Sequence, residues 1–372
     1  MPAGIEKGRG AVANPTPRFE RYARELEPGG DPEPQTRTPT TVAADRSRSI
    51  LSTNTSPDVG FDRSINPYRG CEHGCIYCYA RPGHAYLGLS PGRDFETTLF
   101  AKHDAPALLE AALARPGYRP APLQLSGVTD AWQPIERRLE ITRRLLEVLL
   151  AWRHPVRIVT KSASILRDVD LLQDLAAHGL VTVDVSITTL EADLARRLEP
   201  RASTPARRLG ALRALADAGV PVGVSVAPII PGLTDHEIER LLAAAADAGA
   251  TSAGYVLLRL PHELRELFDG WLEVHAPLRR EKVLSLVRQT RGGALNDARF
   301  SSRMTGTGPL AELIRQRFRK ARHRYGLDKR SLDGLRTDLF RPPGMAAQGE
   351  LFGDDTPSSA TGGIGARASG GT

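Results

Sequence analysis

The chain is predicted to adopt an α/β fold built on a parallel sheet, open or closed into a barrel, and three observations carry that expectation. Short apolar or β-branched runs recur at 122–127, 156–160, 181–187, 222–227 and 253–260, each followed by a helical pattern. Gly179, Gly219 and Gly249 each end a helical pattern and precede a strand, as glycines just past a helix C-terminus do. At 372 residues, 41% of them apolar, the chain is long enough for one large barrel with flexible ends or for two ordinary domains.

Taken in order, residues 1–48 are rich in Pro, Gly, Thr and charge without a sustained apolar period, so a mostly disordered leader is expected. A strand within 59–68 would join the five later runs to make six βα units. From Pro134, a helix places Ile135, Leu139, Leu146 and Leu149 on one face, with Arg137, Arg138, Arg143 and Arg144 mainly elsewhere. Thr234 and Glu237 have the spacing of a capping box after the break at Pro231-Gly232. The body is read as 57–295, a basic helical extension as 296–341 and a second disordered tail as 342–372, in which Glu350-Leu351-Phe352 is a lone apolar docking candidate.

No apolar run approaches the length of a membrane span, and the first residues lack an apolar signal region, so a cytoplasmic protein with no membrane partner is expected. Three cysteines in so long a chain are not a disulfide framework. The net charge of +7 is unevenly placed: from Arg299 to Arg330 the chain carries +8, and the remainder sums to −1. Only six of the 50 basic residues are lysine, which a GC-rich coding bias explains, so the clustering, and not arginine as such, is informative. The segment 312–325 reads as a helix with Leu313, Phe318 and Tyr325 among its apolar anchors. One reading is a solvated charged face. The other is nucleic-acid contact through Arg299 to Arg330, weakened steeply by salt and by replacing Arg317, Arg319, Lys320 and Arg322. An acidic redox partner would use the same charge.

The stretch 66–81, Asn-Pro-Tyr-Arg-Gly-Cys-Glu-His-Gly-Cys-Ile-Tyr-Cys-Tyr-Ala-Arg, holds all three cysteines, spaced C-x3-C-x2-C. Cys71, Cys75 and Cys78 are close enough for one tight loop to wrap three thiolates around a single centre. Three readings compete. Inert core thiols conflict with a polar, glycine-rich loop. Zinc completed by His73 or His84 is compatible with the first spacing, although no second Cys/His pair stands at finger-like spacing. A [4Fe-4S] cluster held by three thiolates would leave one iron without a protein ligand, open to chemistry.

Polar groups gather where the predicted strands end: Ser126-Gly127-Val128-Thr129-Asp130, Thr160-Lys161-Ser162 and Ser186-Ile187-Thr188-Thr189. In barrels, function sits at such C-terminal strand ends. Each residue also has a local reading: Thr129 or Asp130 capping a helix, Lys161 as a surface charge, Ser186 satisfying backbone groups. Because Lys161 closes an apolar strand, a barrel would direct it into the pocket.

With Tyr77 before the last cysteine, the pattern C-x3-C-x-aromatic-C resembles the signature of the radical SAM superfamily, which implies a partial (β/α)6 barrel of the TIM type over 57–295. Cys-Ile-Tyr-Cys-Tyr, Val-Thr-Asp, Val-Thr-Lys, Val-Ser-Ile and Val-Ala-Pro-Ile are, in this order, similar to segments of its spore photoproduct lyase branch, across about 60–260. The whole chain, with Asn66-Pro-Tyr-Arg-Gly-Cys, Asp94-Phe95-Glu96 and Leu339-Phe340, looks still more like the uncharacterised PA0069/Rv2578c family. The resemblance implies a [4Fe-4S] cluster on Cys71, Cys75 and Cys78, with S-adenosyl-L-methionine (SAM) contacted by Thr129, Lys161 and Ser186 and its adenine beside Tyr77. It also implies reductive cleavage of SAM to a 5′-deoxyadenosyl radical, with electrons from a donor such as flavodoxin or ferredoxin. Tyr77 and Tyr79 match tyrosines of a radical relay and are the catalytic candidates. In the lyase branch a fourth cysteine just after the second strand donates a hydrogen atom, and the matching position here is Gly127. Thymine-dimer repair is therefore not the first expectation, and the substrate stays open, with modified or damaged nucleic acid ahead of peptides and small molecules. The rival from another class is a non-catalytic, metal-stabilised nucleic-acid-binding protein.

Overall fold

The computed structural model describes residues 6–20, 38–329 and 334–343. In chain order its strands are β1 (Thr41–Ala44), β2 (Leu51–Thr53), β3 (Arg63–Ile65), β4 (Tyr68–Arg69), β5 (Thr98–Ala101), β6 (Leu123–Leu125), β7 (Val156–Thr160), β8 (Val181–Ser186), β9 (Val222–Ile229) and β10 (Ser252–Leu257). The larger sheet has the order β10-β9-β8-β7-β6-β3-β2. From β3 to β10 its strands pair in parallel, and β2 adds an antiparallel edge on β3. Since β10 and β2 end the order without pairing, the six βα units form an unclosed barrel. All six residues of β8 are buried, as expected of a central parallel strand covered on both faces. Leu145, Leu146 and Leu149 of the helix Ile141–Ala151 join Leu172 and Leu175 of the helix Val169–Ala177 in one core with Ile158 and Val183 of the sheet.

Gly179, Gly219 and Gly249 take positive φ angles of 67°, 76° and 94° at the ends of their helices. Elsewhere the structure differs from expectation. The helix expected from Pro134 is two pieces, Glu136–Leu139 and Ile141–Ala151, because Glu140 turns to φ 49° between them. The cause is Glu136: its buried carboxylate accepts the Thr142 N–H at 3.0 Å and so takes over the start of the second piece. The expected capping box does not form. Thr234 Oγ1 accepts the Ile230 N–H at 2.9 Å, and the buried Glu237 carboxylate reaches back to Thr189 and the Leu190 N–H.

The expected leader, 1–48, is ordered where it is described. Strand β1 pairs in parallel with β5, and β4 completes a second, three-stranded sheet. Glu6, Arg9 and Ala11 are buried against the body. Side-chain anchors, rather than an apolar period, hold this segment. The main sheet likewise begins at Leu51, ahead of the expected boundary at 57. Of the tail, residues 344–372, including Glu350-Leu351-Phe352, lie outside the described residues.

The basic segment forms the helix Gly308–Arg324. Phe318 is buried against Tyr255 of β10, with ring centroids 4.6 Å apart, and Tyr325 packs at the core margin. Leu313, expected as an anchor, is 52% exposed, because Ala311, Ile314, Phe318 and Ala321 make the buried face. The helix runs against β10: the Leu257 N–H donates to Met304 before it, and the Ala253 N–H donates to Leu327 after it. Arg317 pairs with Glu239 at 2.8 and 2.7 Å, and Arg322 with Asp328 at 3.0 Å, while Arg319 and Lys320 are exposed. Replacing Phe318 by Ala is expected to cost about 3–5 kcal/mol in urea unfolding. Leu313→Ala should stay within about 0.5 kcal/mol, and the reverse ranking would mean that the helix docks by its other face.

Candidate active site

The cysteine loop follows β4 and is held from beneath by a buried guanidinium. Arg81 donates through Nε to the Cys75 carbonyl at 2.8 Å, through one terminal nitrogen to the carbonyls of Pro91 and Gly92 at 3.1 and 2.7 Å, and through the other to the Gly74 carbonyl at 3.0 Å and to Glu96. Gly74 sits at φ 67°, and a Cβ there would come within 2.8 Å of the Glu96 carboxylate, so both backbone and space require glycine. Ile76, fully buried, pins the loop into a second core with Leu198, Phe268 and Trp271, and its N–H donates to Leu198 at 3.0 Å.

Glu96 also holds the N-terminal segment. Its two carboxylate oxygens accept the Gly10 and Ala11 N–H groups at 2.9 and 2.8 Å, and Arg9 donates to its carbonyl at 2.9 Å. A Cβ on Gly10 would stand 1.8 Å from the Gly74 carbonyl oxygen, so the strap lies directly on the cysteine loop. Asn14 continues the contact, donating to Asp94 at 2.9 Å, and Arg18 clamps Glu263 with two bonds of 2.8 Å.

Opposite the loop, the strand ends converge on one buried network. Lys161, just past β7, donates to Ser186 Oγ at 2.6 Å and to the Ala227 carbonyl at 3.1 Å, and stands 3.3 Å from Glu199. Its ammonium is 5.7 Å from the centroid of the Tyr77 ring. Tyr77 donates to Glu199, and Thr188 Oγ1 donates to the same carboxylate at 2.8 Å. Arg208, 1% exposed, closes the set by donating to Glu199 and to the Ser186 carbonyl. Two cations thus share one carboxylate. Burial pulls Lys161 down to about 8 and pushes Glu199 up, the latter opposed by Arg208.

The structure therefore brings Tyr77, Lys161 and Ser186 together. Thr129 is buried apart from them and donates its hydroxyl to the Tyr68 carbonyl at 3.3 Å. Its neighbour Asp130 does more than cap: it accepts from the Trp132 N–H at 2.9 Å, Thr160 Oγ1 at 2.8 Å and the Lys161 N–H at 2.7 Å. Tyr79 is 48% exposed at the mouth of the site and donates to the Gly127 carbonyl.

Burial pushes all three thiols up, aided at Cys71 by Asp130 and at Cys75 by Glu199, while Lys161 and Arg81 draw Cys78 the other way. The sulfurs feel one another: Cys78 raises both Cys71 and Cys75. Of the two candidate histidine ligands, His84 Nε2 is engaged with the Thr98 carbonyl at 3.0 Å and His73 Nδ1 faces Asp130 at 3.4 Å.

Residues 65–245 match the family profile described as the radical SAM superfamily. This region, just under half of the chain, is similar to a radical SAM domain. Such domains belong to enzymes, and the family implies SAM and an iron–sulfur cluster. The chain is similar to the uncharacterised protein Rv2578c of Mycobacterium tuberculosis, 37% identical over 214 residues, covering 57% of this chain and 63% of that one. A second relative, the uncharacterised protein MJ0683 of Methanocaldococcus jannaschii, is 30% identical over 173 residues, covering 46% and 62%. The matches thus span somewhat under two thirds of the relatives' own length. Among solved structures, spore photoproduct lyase complexed with dinucleoside spore photoproduct aligns at a TM-score of 0.55 and 16% identity, covering 76% of this chain and 78% of that one. A double mutant of that enzyme with bound AdoMet and the same dinucleoside aligns at 0.56, with the same identity and coverage. At this identity the likeness shows the fold.

The donor set fits an iron–sulfur cluster better than a single ion. Among the described residues, the one His/Cys/Asp/Glu triad whose ligand atoms all lie within 4.8 Å of one another is Glu191, His236 and Glu237, so at least one pair of the three sulfurs stands farther apart than that. A tetrahedral zinc with Zn–S bonds of ≈ 2.3 Å would draw its sulfurs to about 3.8 Å apart. Sequence reasoning missed Glu199, Arg208 and the strap as parts of the site. Arg81 and Glu96 both lie in segments it had singled out, but nothing local marks them as a pair. Gly10→Ala and Glu96→Ala are each expected to lower the iron retained per chain several-fold after anaerobic reconstitution and desalting, measured by iron assay and visible absorbance. Full iron retention in both would separate the strap from the cysteine loop's function.

Proposed function

We propose that this protein is a radical SAM enzyme whose [4Fe-4S] cluster is held by Cys71, Cys75 and Cys78, with nucleic acid as the substrate class. The observation that carries the reading is the three-thiol loop facing a buried network, Tyr77, Lys161, Ser186, Thr188, Glu199 and Arg208, at the strand ends of an unclosed βα barrel. When bound, the reduced cluster supplies the one-electron cleavage of SAM to a 5′-deoxyadenosyl radical.

The chain's own residues bind and orient. Lys161 and Ser186 are the groups for the polar methionine or ribose portions of SAM, and Tyr77 is the aromatic beside its adenine. Thr129, whose hydroxyl proton is committed to Tyr68, takes part only as an acceptor. The cationic excess around Glu199 complements thiolates in the loop, since Lys161 and the Cys75 and Cys78 sulfurs act on one another. All three cysteines are then engaged, so no thiol remains to return a hydrogen atom or to hold a second cluster. Electrons would come from an external carrier such as flavodoxin or ferredoxin.

Two things support a nucleic-acid substrate: the net charge of +8 from Arg299 to Arg330 and the fold shared with an enzyme solved with a dinucleoside photoproduct. The exposed Arg319 and Lys320 lie toward the start of β10, at the end of the sheet away from the cysteine loop, so they would track a strand outside the site. Tested by EPR, dithionite-reduced protein is expected to show a [4Fe-4S] signal that SAM perturbs. Lys161→Ala should keep its iron and need about tenfold more SAM for the same perturbation. A signal indifferent to SAM, or zinc bound in place of iron, would overturn the reading.

A further inference from the structure

A second group of side chains meets at the mouth of the site and is not used by the cofactor network. Arg259, two residues beyond β10, holds its guanidinium 5.3 Å from the centroid of the Tyr79 ring. Tyr79 is anchored to Gly127 beyond β6, beside Val128, which is 45% exposed. Arg303, in the segment leading to the basic helix, makes two bonds of 2.7 and 2.6 Å to Asp58 in the β2–β3 connection. It also lies 4.8 Å from the ring centroid of Phe300, itself 53% exposed. Asp58 and Arg303 thereby tie the segments that flank the two unpaired ends of the sheet.

The charges do not balance. Asp58 faces both guanidiniums but is engaged by Arg303, and among the described residues no group accepts a hydrogen bond from the Arg259 side chain. Burial and the neighbouring Arg303 act against its charge, pulling Arg259 below the ordinary arginine value. A half-buried guanidinium with no acceptor is costly unless an anion completes it. The surroundings also restrict what that anion is attached to. Tyr79 and Phe300 offer exposed aromatic faces next to the cations, the combination on which nucleobases stack while their phosphates are neutralised.

We propose that Arg259, over the Tyr79 ring and next to Arg303 with its Phe300 partner, is a substrate-reading subsite that takes a phosphate of a nucleotide unit at the mouth of the radical SAM site. This rests on the enzyme reading above and narrows its substrate to a group carrying both a phosphate and a base. Arg259 acts as a specificity residue, outside the cofactor network.

The test uses full-length, anaerobically reconstituted protein with SAM and a fluorescently labelled short oligothymidylate, followed by anisotropy. Arg259→Gln is expected to weaken binding about tenfold, and Arg259→Lys to restore most of it. An oligomer with uncharged methylphosphonate linkages should bind the unaltered protein as weakly as the phosphodiester binds the Gln variant. Iron content and the SAM-perturbed EPR signal should be unchanged in both variants, which separates the subsite from a folding defect. Competition by thymidine monophosphate at comparable concentration would assign the phosphate to a free nucleotide, and its failure to compete would assign it to a strand. The proposal is overturned if the two oligomers bind alike, if neither binds, or if Arg259→Gln binds as the unaltered protein does. Should binding depend on Arg259 while the cluster ignores SAM, the subsite stands and the enzyme reading falls.

Discussion

The buried pair of Arg81 and Glu96 is the interaction on which the rest of the site depends. Both residues are fully buried, and withdrawing two charges from water costs several kcal/mol each before any attraction is counted. What makes the arrangement tolerable is that its polar groups are met. Arg81 serves four backbone carbonyls besides the carboxylate, and both Glu96 oxygens accept backbone N–H groups. The consequence is geometric more than energetic. Segments around residues 10, 75 and 92, remote in the chain, acquire a single mutual arrangement, and the cysteines inherit it.

The same physics recurs with a different balance at Glu199. There one carboxylate serves Arg208 and Lys161, so the network keeps a positive excess close to the sulfurs. A loop of three thiols, each raised by burial, releases its protons only if something cationic rewards the thiolates. Bound metal supplies most of that, and Lys161 and Arg81 act in the same direction on Cys78.

An unclosed barrel also leaves edges, and the basic extension manages one of them. The helix Gly308–Arg324 packs along β10, and the residues after it reach the strand's start: the Lys329 N–H donates to Thr251, and Ser252 bridges Asp328. Its apolar face is therefore structural, and several of its arginines are spent on carboxylates nearby. Sequence charge alone overstates what such a segment offers a partner. The mouth of the site, where Arg259 lacks an acceptor among the described residues, has far fewer charges in the sequence and a clearer use for one.

The sequence by itself determined the features that depend on short-range pattern. The five later strands fall within a few residues of where β-branched runs placed them, because β-branched and apolar side chains pack well on a pleated sheet surface and recur in each of them. The cysteine spacing and the polar strand ends were legible for the same local reason. Tertiary structure alone decided the rest. Glu237 left its expected capping role, Glu136 interrupts the helix expected from Pro134, and Glu199 joins a site that nothing local marks, for a buried carboxylate is governed by whichever donors the fold brings to it. Strap residues 6–14 show no apolar period since hydrogen bonds to Glu96 and Asp94 anchor them, and such partners leave no periodic trace in a chain. Arg81 and Glu96 are fifteen residues apart on segments with no common pattern, so their pairing became a fact only once the loop had closed around them.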